Sequence, residues 1–150
     1  MRILVQRVRH ASVAIDGEVR ASIARGLLVL VGVEPADTEE DARWLAGKCA
    51  RLRIFDDEAG VMNRDVSEAG GGVLVVSQFT LMASTKKGNR PSYIRAAGEP
   101  IARPLYERFA QLVAEASGCR VSTGVFGADK QVELCNDGPV TIWIDSKNKE

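Results

Sequence analysis

The chain has 150 residues, of which 45% are hydrophobic, a size and composition typical of one globular domain with a single core. Twenty Lys and Arg balance twenty Asp and Glu, so no global positive field marks a nucleic-acid binder, and RNA contact would need a local patch. Three widely spaced cysteines, a charged N-terminal segment and the lack of any apolar run of ~20 residues predict a reduced, cytoplasmic protein with no membrane partner.

The first half of the chain predicts several strands around one helix. Strand candidates lie at residues 3–8, 12–19, 27–31, 53–55 and 61–62. The second contains Asp16-Gly17, a pair suited to a hairpin turn, and the third is continuously apolar, as in a strand covered on both faces. Thr38 and Asp41 form an N-terminal capping pattern for an amphipathic helix that ends near residues 51–52.

The second half predicts a similar mixture of elements. Three glycines at residues 70–72 lead into a buried strand at 73–76, and residues 84–97 are polar and basic, as in a long loop. A helix near Pro100 and Pro104 has an apolar face and stops at Gly118. That face is Leu105, Phe109, Leu112, Val113 and Ala116.

Alternating apolar residues predict two last strands, at 132–134 and 140–144, with a turn between them. Two helices among about nine strand candidates predict one α/β domain over residues 1–150. We expect mixed, largely antiparallel β-sheets in a layered, barrel-like arrangement.

Several catalytic classes find no support in the sequence. His10, the only histidine, lies in an early β segment, and no GxSxG motif presents a serine to it. Metal-binding motifs such as HExxH and CxxC are absent, and the three glycines precede a strand without the Lys-Ser/Thr pair of a phosphate loop. No cofactor and no metal are therefore predicted. An enzyme with these residues would work by positioning and by donors aimed at a developing oxyanion, which suits an activated ester.

Two segments carry a family resemblance: SQFTL at residues 77–81 and NDGPVT at residues 136–141. Together they resemble the signature motifs of the D-aminoacyl-tRNA deacylases. Shorter matches fall in the expected order over nearly the whole chain, at residues 6–8, 26–29, 53–55, 90–92 and 123–124. The resemblance implies hydrolysis of D-aminoacyl-tRNA to amino acid and tRNA as chiral proofreading in translation, with glycyl-tRNA mischarged on tRNA-Ala as a further substrate.

The resemblance makes the end of the strand at 73–76 the floor of a pocket for the tRNA 3′ acceptor end. Ser77, Gln78 and Phe79 would shape and line this pocket, and Thr80 and Ser77 are the catalytic candidates. Thr80 could act as nucleophile, oxyanion donor or scaffold, whereas from spacing alone both hydroxyls would only satisfy local backbone groups. Because no residue could readily activate a threonine, we favour assistance from the 2′-hydroxyl of the tRNA.

Gly138-Pro139 is, from sequence alone, a turn with a trans peptide, because only about 5–6% of X-Pro bonds are cis. The resemblance instead implies a cis pair whose carbonyls enter the neighbouring subunit's active site, in a homodimer with shared active sites. An L-residue would then clash with the carbonyl oxygens, whereas a D-residue would avoid them. Lys130 departs from the family pattern, because many relatives have methionine there.

Lys86, Lys87, Arg90 and Arg95 form a basic strip that also contains Tyr93. The strip is either a solvated loop or, given the adjacent pocket, a set of phosphate contacts for tRNA. Two other functions are possible, but each explains fewer features of the sequence. A non-catalytic β-rich RNA-binding module leaves Gly138-Pro139 without a role beyond turning. An enzyme of free D-amino acids would need a dinucleotide loop or a pyridoxal site, and neither is evident.

Overall fold

A long N-terminal strand organises the fold. The computed structural model describes residues 1–150, and in it β1 (Arg2–Ile15) is one continuous strand where two had been predicted. The exposed pair Arg9 and His10 breaks the apolar alternation, but a register shift between Val8 and His10 accommodates the break without ending the strand. The predicted hairpin turn is confirmed, since Asp16 and Gly17 both have positive φ.

The other elements follow in mixed order. They are β2 (Glu18–Ile23), β3 (Gly26–Gly32), α1 (Glu39–Arg51), β4 (Phe55–Asp56), β5 (Met62–Arg64), β6 (Gly72–Ser77), a 3₁₀ turn (Phe79–Met82), α2 (Glu99–Ser117), β7 (Val121–Thr123) and β8 (Gln131–Asp145). The first two strand candidates merge into β1 and the last two into β8, whereas β7 matches no predicted strand.

The main sheet has the order β2-β1-β3-β6-β7, and β8 pairs with β1 along its whole length. β2 pairs with residues 11–15 of β1, and β3 pairs with residues 2–8 along the same edge of β1. β8 pairs along the opposite edge. The pairs of β1 are antiparallel, whereas β3-β6 and β6-β7 are parallel. β2 packs back against β6 and β7, so the sheet is nearly closed, and the predicted mixed, barrel-like α/β domain is confirmed.

The two helices pack against each other and cover one face of this sheet. α1 begins with the predicted capping box, in which the Thr38 backbone N–H donates to Asp41 Oδ2 over 2.9 Å. α2 ends as predicted at Gly118, whose φ of 68° suits a left-handed C-cap. Ala116 was wrongly placed on the apolar face of α2, since it is exposed and Tyr106 is buried instead.

The predicted turn between the last two strands is a bulge within one strand. Gln6 pairs with Thr141 and Val8 with Asn136, so β8 carries three more residues than β1 over this interval. The Asn136 side chain closes the bulge, because its Oδ1 accepts the Val140 N–H over 2.8 Å and its Nδ2 donates to the Val140 carbonyl over 3.2 Å. Residues 137–139 are thereby pushed out of the sheet.

Candidate active site

A cavity of about 480 Å³ opens beyond the carboxyl ends of the parallel strands β3 and β6. Ligands of α/β proteins commonly bind in this position, and the volume suits a small ligand or the end of a larger one. Its floor contains Val31 of β3 and Val76 of β6, and α2 supplies one wall with Ala102 and Tyr106. The segment 126–130 forms the opposite wall, so three separate parts of the chain enclose the space.

The end of β6 brings three of the predicted site residues to this cavity. Ser77 is the last residue of the strand, and Gln78 and Phe79 follow it. The Gln78 backbone N–H donates to the Val31 carbonyl over 2.7 Å, which fixes the corner to the neighbouring strand. Ser77, Gln78 and Phe79 all line the cavity, where the resemblance places them.

Thr80 takes a different position from its neighbours. It lies in the 3₁₀ turn, outside the residues that line the cavity, and its Oγ accepts a hydrogen bond from the Gln78 side-chain amide. An amide donor cannot remove a proton, so this contact does not activate the hydroxyl. The turn's own hydrogen bonds begin at Leu81, whose N–H donates to the Gln78 carbonyl, and leave the N–H groups of Phe79 and Thr80 unused by the turn.

Phe79 connects the cavity to the predicted basic loop. Its ring is 57% exposed and contacts Tyr93 edge to face, with ring centroids 5.1 Å apart. An aromatic pair in this geometry is favourable and holds the base of the loop beside the cavity mouth.

The basic strip is a closed loop rather than an extended segment. Ser84 and Ser92 exchange two backbone hydrogen bonds of 2.9 Å, which pinch the loop at its base. Lys86, Lys87 and Arg90 lie beyond this pinch, are exposed and form no salt bridge. Arg95 lies outside the loop and is paired with Glu34 at 3.3 Å, so it is less available to a ligand than the sequence suggested.

Two aromatic side chains that line the cavity, Tyr106 and Phe126, were not predicted as site residues from the sequence. The Tyr106 hydroxyl donates to the Val75 carbonyl over 2.8 Å, and burial raises the pKa of Tyr106 to about 12. It therefore stays a neutral phenol at physiological pH and cannot serve as a base. Phe126 packs beside it, with ring centroids 5.7 Å apart. Helical spacing marks Tyr106 as an inward-facing residue, but no sequence signal links it to Phe126.

Lys130 holds the wall opposite α2. Its ammonium group donates to the carbonyls of Val125 and Ala128 over 3.1 and 2.9 Å, which ties down the turn between them. Burial lowers the pKa of Lys130, and the charge of Asp129 opposes this effect in part. The residue that departs from the family pattern is thus a structural clamp on the cavity wall, with its charge beside the ligand space.

Gly138 and Pro139 are exposed and do not line the cavity of their own chain. Their peptide bond is cis, as the resemblance implies and against the expectation from sequence alone. Gly138 has a φ of 138°, and a Cβ there would lie 2.9 Å from Val140 Cγ2 and 3.0 Å from an Arg7 guanidinium nitrogen. Both the backbone conformation and the space therefore require glycine.

Arg7 supports this bulge from within the fold. Arg7 is buried, its Nε donates to the Asp137 carbonyl over 2.8 Å, and its guanidinium also donates to the Ile54 carbonyl over 2.6 Å. One buried guanidinium thus joins β1, the segment after α1 and the bulge of β8. From the sequence, Arg7 is predicted only as part of a matching segment, with no role of its own.

The described residues contain no group of three or more His, Cys, Asp or Glu side chains placed to hold a metal ion. Neither helix combines the length and hydropathy that a membrane-spanning helix needs. Cys49 is fully buried, and burial raises the pKa of its thiol to about 12, so it is a poor nucleophile. The cavity is mainly apolar, and its polar lining consists of Ser77, Gln78, Glu99, Asp129 and Lys130 beside the phenol of Tyr106.

Comparison with known proteins gives a consistent result. A family model described as D-Tyr-tRNA(Tyr) deacylase matches residues 4–145. Proteins named D-aminoacyl-tRNA deacylase from Parabacteroides distasonis and Bacteroides thetaiotaomicron are 63% and 61% identical to this chain over 150 residues, and each match covers both chains completely.

Two solved structures share the fold. One, titled c-Myc DNA Unwinding Element Binding Protein, superposes with a TM-score of 0.90 at 36% identity and covers 97% of this chain and 98% of its own. Another, titled as a probable eukaryotic D-amino acid tRNA deacylase, has a TM-score of 0.80 at 18% identity and covers 95% of this chain and 97% of its own. At that identity the second similarity shows the fold alone.

Proposed function

The chain belongs to the D-Tyr-tRNA(Tyr) deacylase family, and from this premise we propose that it hydrolyses the ester bond of D-aminoacyl-tRNA. The products are the free D-amino acid and tRNA with an intact 3′ end. The observation that carries the proposal is the cavity at the ends of β3 and β6, because the matching motif residues Ser77, Gln78 and Phe79 line it. The residues of the family motif therefore lie at a cavity that is large enough for the end of a ligand such as an aminoacyl-tRNA.

The chemistry needs little from the side chains of this site. Water attacks the carbonyl carbon of the ester, the bond to the ribose oxygen breaks, and one proton moves from the water to that oxygen. The N–H group of Phe79, a residue that lines the cavity, takes no part in the turn's hydrogen bonds and is a suitable donor for the oxyanion that develops on the carbonyl oxygen. The neighbouring 2′-hydroxyl of the ribose relays the proton, because Tyr106 stays neutral and the Thr80 hydroxyl is bonded to an amide.

Selection against L-residues is assigned to the main chain of Gly138 and Pro139 from a second copy of the chain. Two observations support this assignment: the pair is exposed, and it does not line the cavity of its own chain. In a twofold dimer, the carbonyls of one bulge would close the other subunit's cavity and clash with an L side chain. Glycyl-tRNA, which has no side chain, would also be hydrolysed.

A direct test compares D-tyrosyl-tRNA and L-tyrosyl-tRNA as substrates of the purified protein. We expect kcat/KM for the D-ester to exceed that for the L-ester by on the order of 100-fold or more, which corresponds to ~3 kcal/mol. Glycyl-tRNA should be consumed as well, and the solution mass should be that of a dimer. Equal rates for the two mirror-image esters would refute the proposal, and binding without turnover of either would favour the RNA-binding module.

Binding of the acceptor end is assigned to Lys86, Lys87 and Arg90 on the pinched loop. Replacing Lys86 and Lys87 with glutamine should weaken tRNA binding. The slope of log K against the logarithm of the salt concentration should become less steep by about one to two. The matched control replaces Arg20 and Arg103, two exposed arginines that already pair with Glu18 and Glu99. If both double variants bind tRNA alike, the loop does not contact phosphates.

A further inference from the structure

One exposed face of α1 concentrates positive charge. Trp44, Lys48 and Arg51 are spaced by four and three residues, so they lie on one side of the helix. Arg53 follows directly after the helix, and Lys149 arrives from the C-terminal segment. The ammonium groups of Lys48 and Lys149 lie 5.5 and 4.7 Å from the centre of the Trp44 ring. These five residues are called the α1 basic face below.

The cations of the α1 basic face have no acidic partners. Lys48, Arg51, Arg53 and Lys149 take part in no salt bridge, although Glu40 stands one turn before Trp44 on the same side. Arginines elsewhere on the helices are paired. Arg43 contacts Glu39 at 2.7 Å, Arg103 contacts Glu99 at 2.9 Å, and Arg108 contacts Glu39 at 3.1 Å.

This contrast matters because the whole chain has equal numbers of acidic and basic residues. Four cations that form no salt bridge repel each other and attract a polyanion. Lys48, Arg51 and Arg53 line a groove of about 390 Å³ together with Trp44 and the paired Arg43. A concave, positively charged surface matches a phosphate backbone in both shape and charge.

Arg53 of the α1 basic face is connected to the Gly138-Pro139 bulge through two intervening residues. Arg53 precedes Ile54, whose carbonyl accepts a hydrogen bond from Arg7, and Arg7 also binds the carbonyl of Asp137. None of the residues of the α1 basic face lines the cavity of its own chain or belongs to the pinched loop of Lys86 and Lys87.

We propose that the α1 basic face is a second tRNA-binding surface, which contacts backbone phosphates of the tRNA away from its 3′-terminal nucleotide. The inference rests on the proposed function, because a tRNA whose 3′ end is closed in by the bulge would run past the neighbouring face. Trp44 and Arg51 are ~10 Å apart along the helix axis, about the axial distance over which one strand presents three phosphates. Contacts of this kind read no sequence, so the surface should accept different tRNAs.

The test replaces Lys48, Arg51 and Arg53 with glutamine in the full-length chain. Binding is measured with uncharged tRNA and with a short single-stranded RNA that ends in CCA. We expect the affinity for tRNA to fall on the order of 10-fold and the logarithmic salt slope to become less steep by about two to three, with little change for the short RNA. A separate Lys149→Gln variant, altered only in the C-terminal segment, should show a smaller loss in the same direction.

The matched control replaces three arginines that are already paired, the exposed Arg20 and Arg103 and the half-buried Arg64, and so removes the same charge. Control affinity near that of the unmodified chain supports the proposal. Equal losses in both triple variants would mean that only net charge matters and would overturn it. Unchanged tRNA binding in the α1 variants would also overturn it and would leave an acidic protein as the occupant of the face.

The outcome is separable from that of the proposed function. D-ester turnover by the unmodified chain tests the deacylase assignment, whereas tRNA affinity of the variants tests the face. Loss of tRNA binding in the α1 variants together with an inactive unmodified chain would support the face and reject the deacylase. Normal D-ester turnover with unchanged binding in the variants would do the reverse.

Discussion

The Ser77–Thr80 corner and the Gly138-Pro139 bulge are the two parts of the proposed site, and they are built in opposite ways. The corner follows the end of a buried parallel strand and directs side chains into a cavity of its own chain. The bulge presents bare main chain away from that cavity and is held by one buried arginine. At the corner, a substitution that keeps the size and polarity of a side chain should therefore preserve activity. At the bulge, replacement of Gly138 or Arg7 should abolish most of it.

The largest effect is expected from Gly138→Ala. A Cβ there would lie 2.9 Å from Val140 and 3.0 Å from Arg7, at a positive φ that L-residues rarely adopt. We expect kcat/KM for D-aminoacyl-tRNA to fall on the order of 100-fold, because the carbonyls that we propose to face the substrate would shift. Gly60→Ala is the control, since its Cβ would meet no atom within 4 Å, and activity above one half in Gly138→Ala would contradict the role of the bulge.

Arg7→Lys tests whether the arginine holds the bulge. An ammonium group cannot replace the two-sided guanidinium contacts with Asp137 and Ile54, so one buried carbonyl loses its partner. We expect a loss of ~1–3 kcal/mol in the free energy of unfolding, measured by urea denaturation, and a fall of roughly 30-fold in D-ester turnover. Lower stability with unchanged selectivity would mean that Arg7 supports the fold alone.

Phe79→Ala tests the exposed part of the corner. The ring lines the cavity and contacts Tyr93, a type of pair that contributes ~0.5–1.5 kcal/mol. We expect KM for D-aminoacyl-tRNA to rise about 10-fold with a smaller change in kcat, as measured in steady-state assays. Phe79→Leu, which keeps apolar bulk, should recover part of the loss, and a fall in kcat alone would argue against a binding role.

Thr80→Ala should have the smallest effect. The hydroxyl accepts a hydrogen bond from the Gln78 amide and has no base beside it, while the main-chain N–H survives the substitution. We expect kcat to remain within roughly 3-fold of the unmodified chain. Abolished turnover in a folded Thr80→Ala protein would instead identify the threonine as the nucleophile.

Much of the fold could be predicted from local sequence patterns. The apolar run of β3, the capping box of α1 and the terminal glycine of α2 each depend on nearby residues, and each prediction was confirmed. The bulge in β8 was not predictable, because turn residues look alike whether they end a strand or interrupt one. Only the pairing with β1 distinguishes the two cases.

The site was predictable where a motif marked it and not where packing assembled it. The segment from Ser77 to Phe79 was located through a family resemblance, and it does line the cavity. Tyr106, Phe126 and Lys130 meet it only because α2 and the loop before β8 fold over the strand ends. Local sequence patterns cannot predict this tertiary contact, since secondary-structure propensity and hydrophobic spacing depend only on residues that are near in the chain.

The three-way attachment of Arg7 has a consequence for how this protein would behave on heating. Its guanidinium ties the bulge to β1, a strand that pairs on both edges and belongs to the core, so the bulge cannot loosen independently of that strand. If the proposed function holds, the folded protein should keep its selectivity for D-aminoacyl-tRNA over L-aminoacyl-tRNA at every temperature below its melting temperature. Fidelity would persist for as long as any activity does, and the two would vanish in a single cooperative step.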